Sequence, residues 1–259
     1  MLPLFKNLPI MPTVLDIDLD FFVDSIAHGA SADKRLPEWG YSAETGRVEG
    51  YFTDTIEEAL AYLETHCLLP QRNKTPGAIF EHHDELFDFA VAHFTEPVHL
   101  IHVDAHADMG GDLNSSWEYH STQYMHLPLH ERRTPTRGNN YLNCGNFLVF
   151  LAACGLLEKV TFVTHPKWQI DYDCLYLKDF SSASGALQLK RFPPNTVRDA
   201  NFHTVPHEKE DEIPFIQVSR EDFFSIVQPD TVFLTRSPCF TPASADSIYD
   251  AIAQRIQTA

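Results

Sequence analysis

Basic residues, cysteines and long apolar runs are all scarce in this 259-residue chain, and each shortage closes off a class of function. Nineteen Lys and Arg stand against 36 Asp and Glu, a formal net charge of −17. That balance argues against nucleic acid and against anionic membrane surfaces, and it favours a cationic substrate or a basic peptide. An acidic surface that serves only solubility explains the same charge. The five cysteines (Cys67, Cys144, Cys154, Cys174, Cys239) are odd in number, scattered and without a C-x-x-C pair. Reduced thiols in a cytoplasmic protein are therefore expected, rather than a disulfide framework. No apolar stretch approaches the length of a membrane span, and Met1-Leu2-Pro3-Leu4-Phe5-Lys6 lacks a signal-peptide pattern. No Gly/Ser-rich linker, low-complexity tract or repeat divides the chain, so residues 1–259 are expected to form a single domain, and nothing excludes a homo-oligomer.

What is present is a set of apolar runs that end in acids. Ile101-His102-Val103-Asp104-Ala105-His106-Ala107-Asp108 closes in Asp-x-His-x-Asp. In an extended chain alternate side chains share a face, so Asp104, His106 and Asp108 would project together. Val14–Phe22 repeats the pattern with Asp16, Asp18 and Asp20. Buried acids on one face are costly unless a cation neutralises them. Several carboxylates with one or two imidazoles form a hard, oxygen-rich donor set that suits Mn(II) or Fe(II), with zinc still open. A third run, Gly77–His83, reads as a strand ending in Glu81-His82-His83. Strand alternation puts His83 and Glu81 on one face and His82 on the other, with Asp84 as the cap of the next helix.

Apolar spacing predicts helices over 54–69 (capped by Thr53 or Asp54), 84–94, 146–157 and 244–257. Strands are expected at 97–104, 159–164, 213–218 and 231–235, and a long loop at 109–140. Strands alternating with helices imply an α/β fold of three layers, a mostly parallel sheet with helices on both faces. Ligands of such sheets sit at the carboxyl ends of the strands, where the Asp-rich motifs fall. His120, in the long loop, is a candidate proton shuttle or a surface histidine. Arg236-Ser237-Pro238 follows the last apolar strand, where a substrate contact, a cap and a salt bridge are equally consistent.

Together these motifs resemble the arginase/ureohydrolase superfamily. The order LDIDLDFF, then a strand-end His, then HVDAHAD is most similar to a circularly reordered branch that includes the peptide arginases of ribosomal peptide natural-product biosynthesis. The resemblance covers roughly residues 13–110. It implies two Mn(2+) ions held by Asp16, Asp18, His83, Asp104, His106 and Asp108, with Asp104 and Asp16 bridging. It also implies conversion of arginine side chains in a precursor peptide to ornithine, with release of urea. On that reading Asp108 moves the proton to the leaving amine, with His120 as shuttle. Asp20 and Glu81 are the candidates for holding the guanidinium, alongside Glu118. The stretch Met109-Gly110-Gly111-Asp112-Leu113-Asn114 lacks the usual free-arginine pattern. The alternatives are a small-molecule ureohydrolase acting on arginine or agmatine, a related C–N amidohydrolase or deacetylase with one zinc and a histidine pair, and a binding module that keeps the fold.

Overall fold

The computed structural model describes residues 11–27, 34–42, 47–110, 116–196 and 201–258. Strands β1 (Thr13–Asp18), β2 (Thr75–Phe80), β3 (Val98–Asp104), β4 (Leu157–Thr164), β5 (Ala186–Leu187), β6 (Ile213–Ser219), β7 (Thr231–Thr235) and β8 (Ile256–Thr258) make one eight-stranded sheet. Its order is β8-β2-β7-β1-β3-β4-β6-β5, and every neighbouring pair is parallel except β5 with β6. Gly77 lets β2 lie against β7: a Cβ there would stand 1.8 Å from the Val232 carbonyl oxygen.

Helices cover both faces, as the alternation of strands and helices predicts. On one face α1 (Ile56–His66) and α6 (Asp246–Ala253) pack Ala59, Leu63, Ile248 and Ile252 onto Leu15, Ile17, Ile101, Val103, Val232 and Leu234. On the other, α2 (Glu85–His93) and α5 (Phe147–Ala153) pack onto Val14, Leu100, Val160, Phe162 and Phe233. Central β1 and β3 are thus covered on both sides, which is why they read as near-continuous apolar runs until their last residues.

Element ends depart from the sequence reading in four places that bear on the site. The run Val14–Phe22 is a strand only to Asp18, and Leu19–Phe22 form a single 3₁₀ turn. The run through His83 is a strand only to Phe80. Helix α1 is capped by Thr55, whose side chain and that of Glu58 form a capping box, while Asp54 instead pairs with Arg220. The last expected helix splits into α6 and the edge strand β8. The expected loop at 109–140 also contains two short helices, α3 (Ser116–Thr122) and α4 (Leu129–Arg132).

Candidate metal centre

On the face of the sheet covered by α2 and α5, β1 and β3 run side by side in register. Val14 is paired with Leu100, then Asp16 with His102. Asp18 and Asp104 close the two strands. The residues of one face thus pass from apolar to charged as the strands approach their carboxyl ends. All four polar side chains are buried.

Two turns and a loop bring the remaining groups in. The 3₁₀ turn after Asp18 swings Asp20 off the strand face, so that it reaches the start of the next loop: its Oδ1 accepts from the Ala105 N–H at 3.2 Å and its Oδ2 lies 2.9 Å from His106 Nδ1. Asp108 adopts a left-handed backbone, φ +48°, which Asp tolerates better than most residues, and its carbonyl accepts from Leu148 N at the start of α5. The turn after β2 delivers His83 into the interior, 1% exposed, while Glu81 is exposed and His82 only partly buried.

The two edges of the His83 ring have different surroundings. Its Nδ1 lies 2.9 Å from Asp18 Oδ2, 3.1 Å from Asp104 Oδ2 and 3.0 Å from Asp108 Oδ2. None of the three is aligned as a hydrogen bond, and Nδ1 and Asp104 Oδ2 are both buried without a partner. Oxygens that crowd a ring nitrogen without lying along its N–H direction surround a common point, as ligands of one cation do. The Nε2 edge faces a single carboxylate, Asp16, whose oxygens both lie at 3.1 Å. The other oxygen of Asp104 turns the opposite way, Oδ1 standing 3.8 Å from His106 Nδ1, which also faces Asp20. His106 Nε2 lies 3.0 Å from the Ala27 carbonyl, an acceptor that leaves Nδ1 as the ligating nitrogen. Among the described residues, four overlapping groups could hold a cation: Asp16, His83 and His102; Asp18, His83 and Asp104; Asp20, Asp104 and His106; and His102, Asp104 and Asp108. Two of them outline neighbouring positions around Asp104. One is bounded by His83, Asp18, Asp104 and Asp108, the other by His106, Asp20 and Asp104. Asp18, Asp104 and Asp108 gather around a single imidazole, an unfavourable concentration of like charge that a divalent ion would relieve.

The electrostatics point the same way. Burial lifts the Asp104 carboxyl well above the usual carboxylate range, and repulsion from Asp20, Asp108 and Asp18 lifts it further. Asp18 is raised by burial and by Asp20. Burial alone would depress His83 and His106, yet the surrounding carboxylates outweigh it and hold both rings well above the ordinary imidazole value. A site that must otherwise hold extra protons to offset its charge is one that exchanges those protons for metal ions.

No protein-family model and no curated protein matches the chain. The assignment of this centre therefore rests on its geometry.

That geometry redistributes the expected roles. Asp18, His83, Asp104, His106 and Asp108 come together as expected. Asp16, expected to bridge two metals, faces the Nε2 edge of His83 rather than the Nδ1 edge, in a further buried group with His83 and His102 that could itself hold a cation. Asp20, expected to hold substrate, takes the place beside His106 because the strand ends two residues before it. Glu81 stays outside the cluster: β2 stops at Phe80, so alternation no longer carries Glu81 to the face of His83, and it stands 3.6 Å from Arg236. Glu118 is exposed on its helix.

His120 is neither shuttle nor surface residue. It is fully buried among Tyr124, Phe150 and Tyr176, its Nε2 lies 3.2 Å from the Val149 carbonyl, and burial pushes it down to about 3. A neutral ring sealed in an aromatic layer has no route for a proton. Residues 111–114, where the free-arginine pattern was sought, lie outside the described residues.

Three groups at the centre escape a motif reading. His102 sits two residues before Asp104 on the same strand face, a spacing the sequence displays openly. Ser237, with φ +46°, donates from Oγ to Asp18 Oδ2 at 2.5 Å. Asp171 accepts from Trp168 Nε1 at 2.9 Å and from the Ala107 N–H at 3.2 Å, and burial pushes its carboxyl up to about 6. Neither Ser237 nor Asp171 belongs to a spaced motif, and only the fold brings them here.

Proposed function

We propose that the protein is a dinuclear metal-dependent hydrolase of the arginase type, acting on arginine side chains within a peptide. The observation that carries this reading is Asp104, whose Oδ2 faces His83 beside Asp18 and Asp108 and whose Oδ1 faces His106 beside Asp20, two adjacent groups that could each hold a cation. The oxygen-rich donor set suits Mn(II). Two such ions, when bound, would make water acidic enough to serve as the nucleophile at neutral pH and would offset the carboxylate charge.

The chain's own residues do the rest. The substrate guanidinium reacts with water to give urea and an ornithine side chain, which leaves as an ammonium. Both protons of the attacking water must therefore reach the leaving nitrogen, the first of them before the C–N bond breaks. Asp108, at 8% the most exposed of the clustered carboxylates, is the one placed to accept and return that first proton. Asp171, oriented by the Trp168 indole and the Ala107 amide, is the carboxylate left outside the ligand set for the cationic side chain. Phe240 packs on the His106 ring at 4.9 Å and walls one side. The acidic chain favours a basic peptide over a free amino acid in the encounter.

A deacetylase-type reading needs one metal beside a catalytic histidine pair. His82 and His83 do not form one, since only His83 enters the cluster. The deciding experiment incubates the Mn(II)-loaded protein with an arginine-containing peptide and, separately, with free arginine, following peptide mass and urea. Conversion of peptidyl arginine to ornithine with urea release is expected. Turnover of free arginine alone would make the protein a small-molecule ureohydrolase, and no urea from either would overturn the guanidino reading.

A further inference from the structure

Asp16 and His102 lie outside the two positions around Asp104, although both belong to groups that could hold a cation, and they are among the most deeply buried polar residues described, each 0% exposed. Sheet register makes them direct neighbours on adjacent parallel strands. Asp16 Oδ2 lies 2.8 Å from His102 Nδ1, while both Asp16 oxygens lie 3.1 Å from His83 Nε2. His102 Nε2 in turn lies 3.2 Å from the His106 carbonyl oxygen and 3.4 Å from Asp104 Oδ2. Rings hold the unit from the sides: His83 packs on Phe147 at 4.5 Å, and His102 on Phe162 at 5.5 Å.

We propose that Asp16 and His102 are a positioning pair that fixes the tautomer and angle of His83 and the course of the chain at His106, and so sets both metal positions from one buried rung. The inference rests on the metal-centre reading. The physical argument is one of donors and acceptors. A carboxylate at Nε2 takes that nitrogen's proton as a hydrogen bond, which leaves the Nδ1 lone pair for a cation. Asp16 can hold this alignment only if its own position is fixed, and His102 fixes it. The far edge of His102 meets the main chain of the second ligand histidine, so one pair supports both halves of the centre. A pair with a purely structural role could be exchanged for apolar side chains of similar size without harm to metal binding, because such exchanges of buried charged pairs are often neutral or stabilising.

Calorimetric Mn(II) titration separates the two roles. Asp16→Asn and His102→Gln are each expected to weaken Mn(II) binding by roughly 10–100-fold, the usual cost of losing a supporting partner of a metal ligand. The double variant Asp16→Leu/His102→Phe guards against a simple folding defect: it is expected to unfold at no lower urea concentration than wild type, yet to show the same loss of affinity. In a His83→Ala background, His102→Gln is expected to cost clearly less than it does in wild type, because part of its effect runs through His83. Unchanged affinity in the double variant would overturn the positioning role, as would full additivity with His83→Ala. Failure of the wild-type protein itself to bind Mn(II) would instead remove the metal-centre reading on which the pair depends.

Discussion

The two faces of β1 and β3 share a backbone and differ in almost everything else. One face reads Leu15 and Ile17 beside Ile101 and Val103, all fully or nearly fully buried beneath α1 and α6. The other reads Val14, Asp16 and Asp18 beside Leu100, His102 and Asp104, equally buried but charged over its last two rungs. Because strand side chains alternate, one stretch of chain can build a core on one side and a centre on the other. The apolar face holds the strands in place, and the polar face spends part of that stability on crowding carboxylates at a single point. The sealed inner rung of Asp16 and His102 is hydrogen-bonded within the protein, whereas beyond it Asp104 Oδ2 and His83 Nδ1 lack an aligned hydrogen bond. That difference marks where a ligand is needed.

Adjacent residues on one strand test the contrast most sharply. Ile17→Ala is expected to cost about 2–5 kcal/mol of stability, the usual price of a buried large-to-small change, with Mn(II) affinity unchanged in the protein that remains folded. Asp18→Asn is expected to do the reverse: metal affinity falls, while the metal-free protein becomes harder to unfold because a repelling buried charge is gone. Urea titration with and without Mn(II) measures both, and a loss of metal affinity from Ile17→Ala would break the separation of the two faces.

A smaller effect concerns His120, a histidine placed in the apolar layer rather than in the centre. Its folded-state value of about 3 lies below the ordinary imidazole value of 6.5, so between those limits the unfolded chain binds a proton that the folded chain does not. Stability is therefore expected to fall as pH drops from about 6.5 towards 3. In His120→Phe this contribution should vanish, flattening that part of the profile. Peptide hydrolysis at saturating substrate should change little in the same variant, and a collapse of turnover would restore His120 to the mechanism.

Much of this was legible from residue order. Asp104, His106 and Asp108 were found from spacing, and His83 was separated from His82 by alternation although the strand stops three residues earlier. The departures at Asp20 and Glu81 share one physical cause. Alternation holds only while the chain stays extended, and both Asp20 and Glu81 lie just past a strand end, where a turn re-aims the side chain. Asp20 is thereby carried to the side of His106 and Glu81 out towards Arg236. Asp16 shares a face with Asp18, as its spacing implies, but only the register of β1 against β3 reveals that His102 stands beside it. Asp171 and Ser237 come from separate loops, and no local pattern connects them to the carboxylates.

The most direct test of the central claim is the number of Mn(II) ions retained per chain after loading and dialysis, measured by elemental analysis for wild type and Asp104→Asn. Two ions in wild type, with neither retained once the residue facing both positions is changed, is the expected result. Wild type retaining none, or Asp104→Asn retaining the full wild-type complement, would contradict the dinuclear centre.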